Sequence, residues 1–428
     1  MSQRLPPSRP TPGPTSTPAT IPIYDPFRSA QYSDPYPDYA FYRTHDPVHR
    51  GRPALPGYPP GWYVFRHADA LCVLRDTDTF RQQRPRTLTA EHVLAHRLAE
   101  HDDLWRVVDH WMLLQDAAAH SRLRALVSRA FSPARIGELE TRIKTIAHAA
   151  LDAVQRDQAG DLMTDFAAPL PIAVIGHLLG ITIADPARFR AQSRAIAMAI
   201  DMRTSAEPLD CATSAMREWT RDLREQVAAK REKPGADLAS ELIAACDEHG
   251  ALDEDELIAM LALLLFTGQE TTCDLIGLGV YTLLRHPEQR SALQTNPGLL
   301  DNAINEILRF DSPVQSPFMR TAARDMTLGN AKIAEGDTIS VLLGAANRDP
   351  DAVQDPDRFD ITRDTARTGI TFGHGVHFCL GAHLARLEAR VAISALLTQR
   401  PGLCLTGRAV TWRANVAFRG LISLPVRY

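Results

Sequence analysis

The chain has 428 residues, long enough to bury a substantial core as one large domain or a few smaller ones. Its 47 basic residues against 51 acidic ones leave a formal net charge of −4, which offers no electrostatic case for a nucleic-acid partner. Six cysteines are scattered without a Cys-x-x-Cys pair, so neither a zinc site nor a disulfide framework is indicated, and a reducing compartment fits best.

Residues 1–20 are rich in Pro, Ser and Thr and hold no apolar core. They read as a disordered leader rather than a secretory h-region or membrane anchor, with one domain over residues 21–428. Gly61-Trp62-Tyr63-Val64-Phe65 reads as a strand. His92 and His96 have the i,i+4 spacing of metal ligands, but no acid or cysteine accompanies them in a recognisable pattern. From about 120 to 310 helical spacing dominates, with turns at Ser132-Pro133, Asp185-Pro186 and Lys233-Pro234-Gly235.

A long helix is expected from near Asp253, where Asp253 and Glu256 have capping-box spacing, to just before Pro287. Its apolar run Leu257 to Phe266 is far short of the roughly 20 residues that cross a bilayer. The run is interrupted by Thr267-Gly268-Gln269-Glu270-Thr271-Thr272, and a mid-helix glycine alone costs about 1 kcal/mol against alanine. Two readings fit: a wet stretch facing a cavity or partner helix, or a place for dioxygen, with Gly268 opening a groove and the acid-alcohol pair Glu270 and Thr271 delivering protons.

A helix over 298–310 buries Leu300, Ala303, Ile304, Ile307 and Leu308 and sets Glu306 and Arg309 at i,i+3. On spacing alone that is a surface pair worth about 0.2–0.5 kcal/mol. Thr338 to Leu342 and Leu421 to Val426 read as strands. Between them, Phe372-Gly373-His374-Gly375-Val376-His377-Phe378-Cys379-Leu380-Gly381 puts one cysteine at the end of a glycine-punctuated turn, directly before a helix marked by Leu380, Leu384, Leu387 and Val391. The helix N-terminus should favour an anionic sulfur and lower the thiol pKa. The plain alternative is a buried small hydrophobe. The fold class is mainly α with small β-sheets.

The string from Phe372 to Arg386, Phe-Gly-x-Gly-x-His-x-Cys-Leu-Gly-Ala-x-Leu-Ala-Arg, resembles the haem-ligand signature of the cytochrome P450 family without a departure. The resemblance implies the P450 fold for nearly everything after the leader, and haem b held by Cys379, with Phe372, Gly373, His377 and Gly381 in the ligand loop. His120, Arg124, Arg320 and His377 match positions that contact the haem propionates. Asp116-Ala117-Ala118-Ala119-His120 departs from the common Asp-Pro-Pro-x-His, which suggests a looser turn. The 267–271 segment resembles the family's Ala-Gly-x-Asp/Glu-Thr, with Thr267 in place of alanine. That threonine should narrow the space above the haem, or its hydroxyl should bond substrate or the carbonyl four residues back. Glu306 to Arg309 matches Glu-x-x-Arg, and Arg358 matches the second arginine expected to reach Glu306 and help fix the cysteine loop.

By the same resemblance the activity is insertion of one oxygen atom from dioxygen into an organic substrate, by hydroxylation or epoxidation, in secondary metabolism or catabolism. Oxidative coupling or desaturation, a peroxide-driven reaction, or a silent haem module remain alternatives. Segments at about 82–115, 188–220, 266–272, 313–319 and 413–420 match substrate-recognition regions. They carry Phe266, Thr267, Val314, Phe318, Val416 and Phe418, which favour a largely apolar small-molecule or carrier-bound substrate. The resembled type is cytoplasmic, without a membrane anchor, and takes electrons from NAD(P)H through ferredoxin reductase and ferredoxin. Arg122 and Arg129, seven residues apart on one helix face, would steer an acidic ferredoxin.

Overall fold

The structure, a computed structural model, describes residues 20–28, 30–53, 60–82, 101–154, 158–200, 206–248, 250–317, 319–365 and 368–428. The expected leader, apart from Thr20, lies outside the described residues, as do His92, His96 and Phe318.

The longer helices are α1 (Tyr36–His45), α2 (Ala117–Ser128), α3 (Glu140–Asp152), α4 (Pro169–Leu179), α5 (Pro186–Ile200), α6 (Ala206–Glu232), α7 (Leu238–Asp247), α8 (Glu254–Arg285), α9 (Leu300–Phe310) and α10 (Ala382–Gln399). The strands are β1 (Val48–Arg50), β2 (Trp62–Val64), β3 (Phe80–Arg81), β4 (Ala159–Asp161), β5 (Arg320–Ala322), β6 (Met326–Leu328), β7 (Ala331–Ile333), β8 (Thr338–Val341), β9 (Cys404–Leu405), β10 (Thr411–Trp412), β11 (Leu421–Ser423) and β12 (Pro425–Arg427). The largest sheet has the order β1-β2-β8-β5-β3, with β2 and β8 parallel. Smaller sheets are β4-β12-β9, β10-β11 and the β6-β7 hairpin.

α8 runs through the core. Asp253 accepts from the Glu256 N–H while the Glu256 carboxylate accepts from the Asp253 N–H, which satisfies two otherwise orphaned donors at its start. It stops at His286 because Pro287, with no N–H to give, opens the next helix. Packed against it are α4, α9 and α10, so its apolar residues from Leu257 to Phe266 are all buried. No helix among the described residues is long and apolar enough to cross a membrane.

One expected strand is two. The stretch Leu421 to Val426 divides at Leu424, whose N–H donates to Asp161 Oδ1 (3.2 Å) and whose carbonyl accepts from Leu162 N (3.0 Å). These bonds turn the chain, so β11 pairs with β10 while β12 leaves to pair with β4 and β9.

Candidate active site

The cysteine loop is folded by its own backbone. Cys379 N–H donates to the Phe372 carbonyl (2.9 Å) and Phe378 N–H to the Gly375 carbonyl (3.0 Å), closing a single turn over 375–377. Gly373 and Gly375 have φ of +71° and +75°, a region that side chains resist. A Cβ on Gly375 would also stand 2.8 Å from the Leu74 carbonyl oxygen. Gly381 differs, with an ordinary φ of −84° and nothing within 4 Å of the position its Cβ would take. Its lack of a side chain answers to no protein neighbour.

Cys379 opens on a cavity of about 300 Å³. The thiol pKa is raised, not lowered as expected at a helix start. The surrounding protein desolvates the sulfur, and that outweighs the Gly381 N–H and the charges of Arg124 and Arg386. α10 begins only at Ala382, so the helix terminus alone does not prepare a thiolate. A metal cation would supply the missing stabilisation, since a coordinated thiol is deprotonated outright.

α8 forms another wall of this cavity with Leu264, Thr267, Gly268, Thr271, Thr272 and Leu275, one helical face. The Thr267 hydroxyl donates to the Leu263 carbonyl (2.8 Å) and the Thr271 hydroxyl to the Thr267 carbonyl (3.2 Å). Gly268 does not simply open a groove: Ile175 of α4 fills the place of its side chain, with Cδ1 2.7 Å from the Cβ position. Glu270 does not share the cavity with Thr271. Consecutive helical residues lie about 100° apart, and Glu270 turns to the far side, buried, where Arg413 Nη1 and Ser193 Oγ donate to it.

His120, Arg124, Arg320 and His377 all line the cavity. Burial pushes His377 down to about 3, with Arg320, His120 and Arg124 adding to the effect; burial likewise lowers Arg320 to about 10. His120 and Arg124 are lowered too, chiefly by burial. Arg320 Nε and Nη1 are buried without a hydrogen-bond partner. Such a group is costly unless it faces an anion. The four side chains fit a ligand bearing carboxylates, Cys379 fits its metal, and the open space at Gly381 fits its body. Together they fit haem, whose propionates Arg320 would hold. The turn before α2 is tied where a loose one was expected, because Asp116 Oδ1 accepts from Gln82 N (2.8 Å).

Glu306 and Arg309 are not a surface pair. Both are fully buried, with Arg309 Nε and Nη2 donating to the two carboxylate oxygens at 2.7 and 2.8 Å. The second arginine is Arg363, its Nε 3.5 Å from Glu306 Oε1. Arg358 instead points its guanidinium outward toward Asp360 and offers only its carbonyl to Arg309. The ion pair reaches the cysteine loop in steps: Arg309 Nη1 donates to the Asn347 carbonyl, and the Asn347 side chain holds Ile370 N–H and Thr371 Oγ1, just before Phe372. Arg122 is likewise engaged, by Glu256 and the Ala251 carbonyl at the start of α8, so it forms no free basic patch with the exposed Arg129.

Phe266, Val314, Val416 and Phe418 line the cavity. A bridge joins Val314 to Phe418, and Phe266 packs edge-on to Phe418 (6.2 Å) while stacking on Trp111 (5.3 Å). Trp111 lies in the 82–115 segment but carries no motif that singles it out. Asn347, Thr371, Arg363 and Arg413 also escape sequence reasoning, because their partners are remote in the chain.

A sequence profile described as cytochrome P450 matches residues 200–399. The vitamin D(3) 25-hydroxylase of Pseudonocardia autotrophica is 40% identical over 408 residues, 94% of this chain and 96% of that protein. Cytochrome P450 monooxygenase PikC of Streptomyces venezuelae is 39% identical over 92% of this chain and 91% of its own. The crystal structure of P450BioI with an acyl carrier protein bearing hexadec-9Z-enoic acid superposes with a TM-score of 0.84 at 34% identity, covering 94% of this chain and all of that one. A cysteine loop facing a helix across a cavity ringed by four propionate-matching side chains agrees with these likenesses, and the chain belongs to the cytochrome P450 family of haem b monooxygenases.

Proposed function

We propose that this monooxygenase hydroxylates a largely apolar product of secondary metabolism, using electrons passed from NAD(P)H through a reductase and a ferredoxin in the cytoplasm. The observation that carries this reading is the cavity itself: Phe266, Val314, Val416 and Phe418 form an apolar wall in the same space as Cys379 and Thr271. The relatives named for hydroxylating vitamin D3 and 6-deoxyerythronolide B support a bulky apolar substrate. The neighbour solved with an acyl-laden carrier protein supports delivery on a carrier as a second form of the same reading.

The residues divide the work. Cys379 would ligate the iron, while Arg320, Arg124, His120 and His377 would hold the propionates. Haem bound there would supply dioxygen activation, the thiolate favouring O–O cleavage, with one oxygen atom going to the product and the other to water. Thr271 stands on the cavity face to position a proton; its hydroxyl has only a 3.2 Å bond to the Thr267 carbonyl to give up. Glu270, behind it, is the acid that resupplies that proton. The apolar wall holds the substrate and keeps water from the reacting carbon.

The test is turnover with a compound panel under labelled dioxygen. With ferredoxin, ferredoxin reductase and NAD(P)H, one labelled oxygen atom should enter the product. Product formed only with peroxide would identify a peroxygenase, unlabelled coupled or desaturated product would identify the alternative oxidations, and spectral binding without turnover would identify a silent module.

A further inference from the structure

Behind α8, away from the cavity, a polar cluster lies buried where α5, α8 and the segment after β10 meet. Glu270 and Asp274 stand one turn apart on the same face of α8, only 2% and 1% exposed. A single guanidinium serves both: Arg413 Nη1 donates to Glu270 and Nη2 to both oxygens of Asp274. Room is made by Gly420, where a Cβ would run into Asp274 Oδ1 and Arg413 Nη2. Its carbonyl also accepts from Arg413 N–H (3.0 Å).

Two carboxylates on one buried cation are a pair that cannot both be fully ionised without cost. Burial, with the Glu270 charge beside it, pushes Asp274 up to about 7 against the pull of Arg413. Other groups facing the pair are Arg190, Ser193 and Arg194 of α5 and Cys273 of α8, the last kept neutral by burial, which pushes it up to about 12. Arg190 and Gln269 keep side-chain polar atoms buried without partners, and Arg194 is only partly buried at the edge of the cluster. The pair therefore sits in a polar enclave that can accept a charge change, separated from the substrate by α8 itself.

Each turnover consumes two protons with two electrons, leaving one oxygen atom in the product and one in water. We propose that Asp274, joined to Glu270 through the shared guanidinium of Arg413, is the proton store that recharges Glu270 between deliveries. The inference rests on the reading of Glu270 and Thr271 given above. The proton on Asp274 passes to Glu270, which gives it toward the Thr271 side of the helix; Asp274 takes up another from solvent before the next delivery, and Arg413, itself protonated throughout, holds whichever carboxylate is left charged. Asp274 is a positioning residue that acts through Glu270 and does not meet substrate.

Asp274→Asn keeps the shape and removes the titrating proton. In the haem-loaded enzyme, infrared difference spectra between pH 6 and 8 should show a protonated-carboxyl C=O band that titrates near neutrality and is lost in Asp274→Asn. It should return, displaced, in Asp274→Glu, which also serves if the asparagine variant folds poorly. Product per NAD(P)H in the parent should fall as pH rises through 7 and the store empties. In Asp274→Asn it should be flat with pH and lower at pH 6.5 by about tenfold, short of the roughly 10²–10⁴ that a direct general acid contributes. A band that survives in Asp274→Asn, or a band lost with an unchanged pH profile of coupling, would overturn the store. Unchanged coupling in Glu270→Gln and Thr271→Ala would instead reject the parent reading, whatever the band shows.

Discussion

The imidazole of His120 lies against that of His377, ring centroids 4.1 Å apart and planes tilted by 46°. Both rings are held neutral by burial and by the neighbouring arginines, with His377 down at about 3 against an ordinary 6.5. The folded haem-free protein thus binds fewer protons here than the unfolded chain. The stability these two rings contribute is complete above pH 6.5 and is lost as pH falls from there toward 3. A ligand bringing two carboxylates reverses the local charge and weakens that loss. Urea midpoints at pH 7.5 and 5.5 should drop more for the haem-free protein than for the loaded one; parallel drops would separate the histidines from the propionates.

The two loop glycines should respond differently to alanine. Gly375→Ala forces φ of +75° on a side chain and presses on Leu74, and should destabilise by about 1–3 kcal/mol even without haem. Gly381→Ala meets no protein atom, so haem-free stability should change by less than about 0.5 kcal/mol while haem affinity falls. Urea unfolding and haem titration check the pair. A Gly381→Ala protein that loses stability without haem would contradict the assignment of that space to the haem.

Which arginine serves Glu306 is decided by three substitutions. Arg309→Ala strands a fully buried carboxylate and should cost about 3–5 kcal/mol. Arg363→Ala removes a weaker partner at 3.5 Å and should cost about 1–3 kcal/mol. Arg358→Ala should stay within about 0.5 kcal/mol, as its guanidinium is exposed. Equal losses for Arg358 and Arg363 would restore the sequence-based assignment.

Thr267 is turned by its bond to the Leu263 carbonyl, which leaves its bulk rather than a free hydroxyl to shape the cavity. Thr267→Val should preserve the product pattern, and Thr267→Ala should broaden the set of oxidised positions. Loss of selectivity in the valine variant would make the hydroxyl the determinant. Product regiochemistry by chromatography and mass spectrometry distinguishes these outcomes.

Features written in consecutive residues were legible in the sequence. The Asp253 and Glu256 cap, the span of α8, the α9 helix with its Glu306 and Arg309 pair, and Cys379 at the end of its glycine turn all follow from local spacing, and the structure has each of these elements. Tertiary packing decided what those residues face. Helical period shows that Glu270 and Asp274 share a side of α8, yet only folding brings Arg413 to that side from 143 and 139 residues away. Arg363 rather than Arg358 meets Glu306, and Leu424 bends one strand into two, because hydrogen bonds to remote segments set those directions. The sulfur of Cys379 shows the same division: local sequence puts it before a helix, but the protein gathered around it raises its pKa, since desolvation depends on every neighbour the fold supplies.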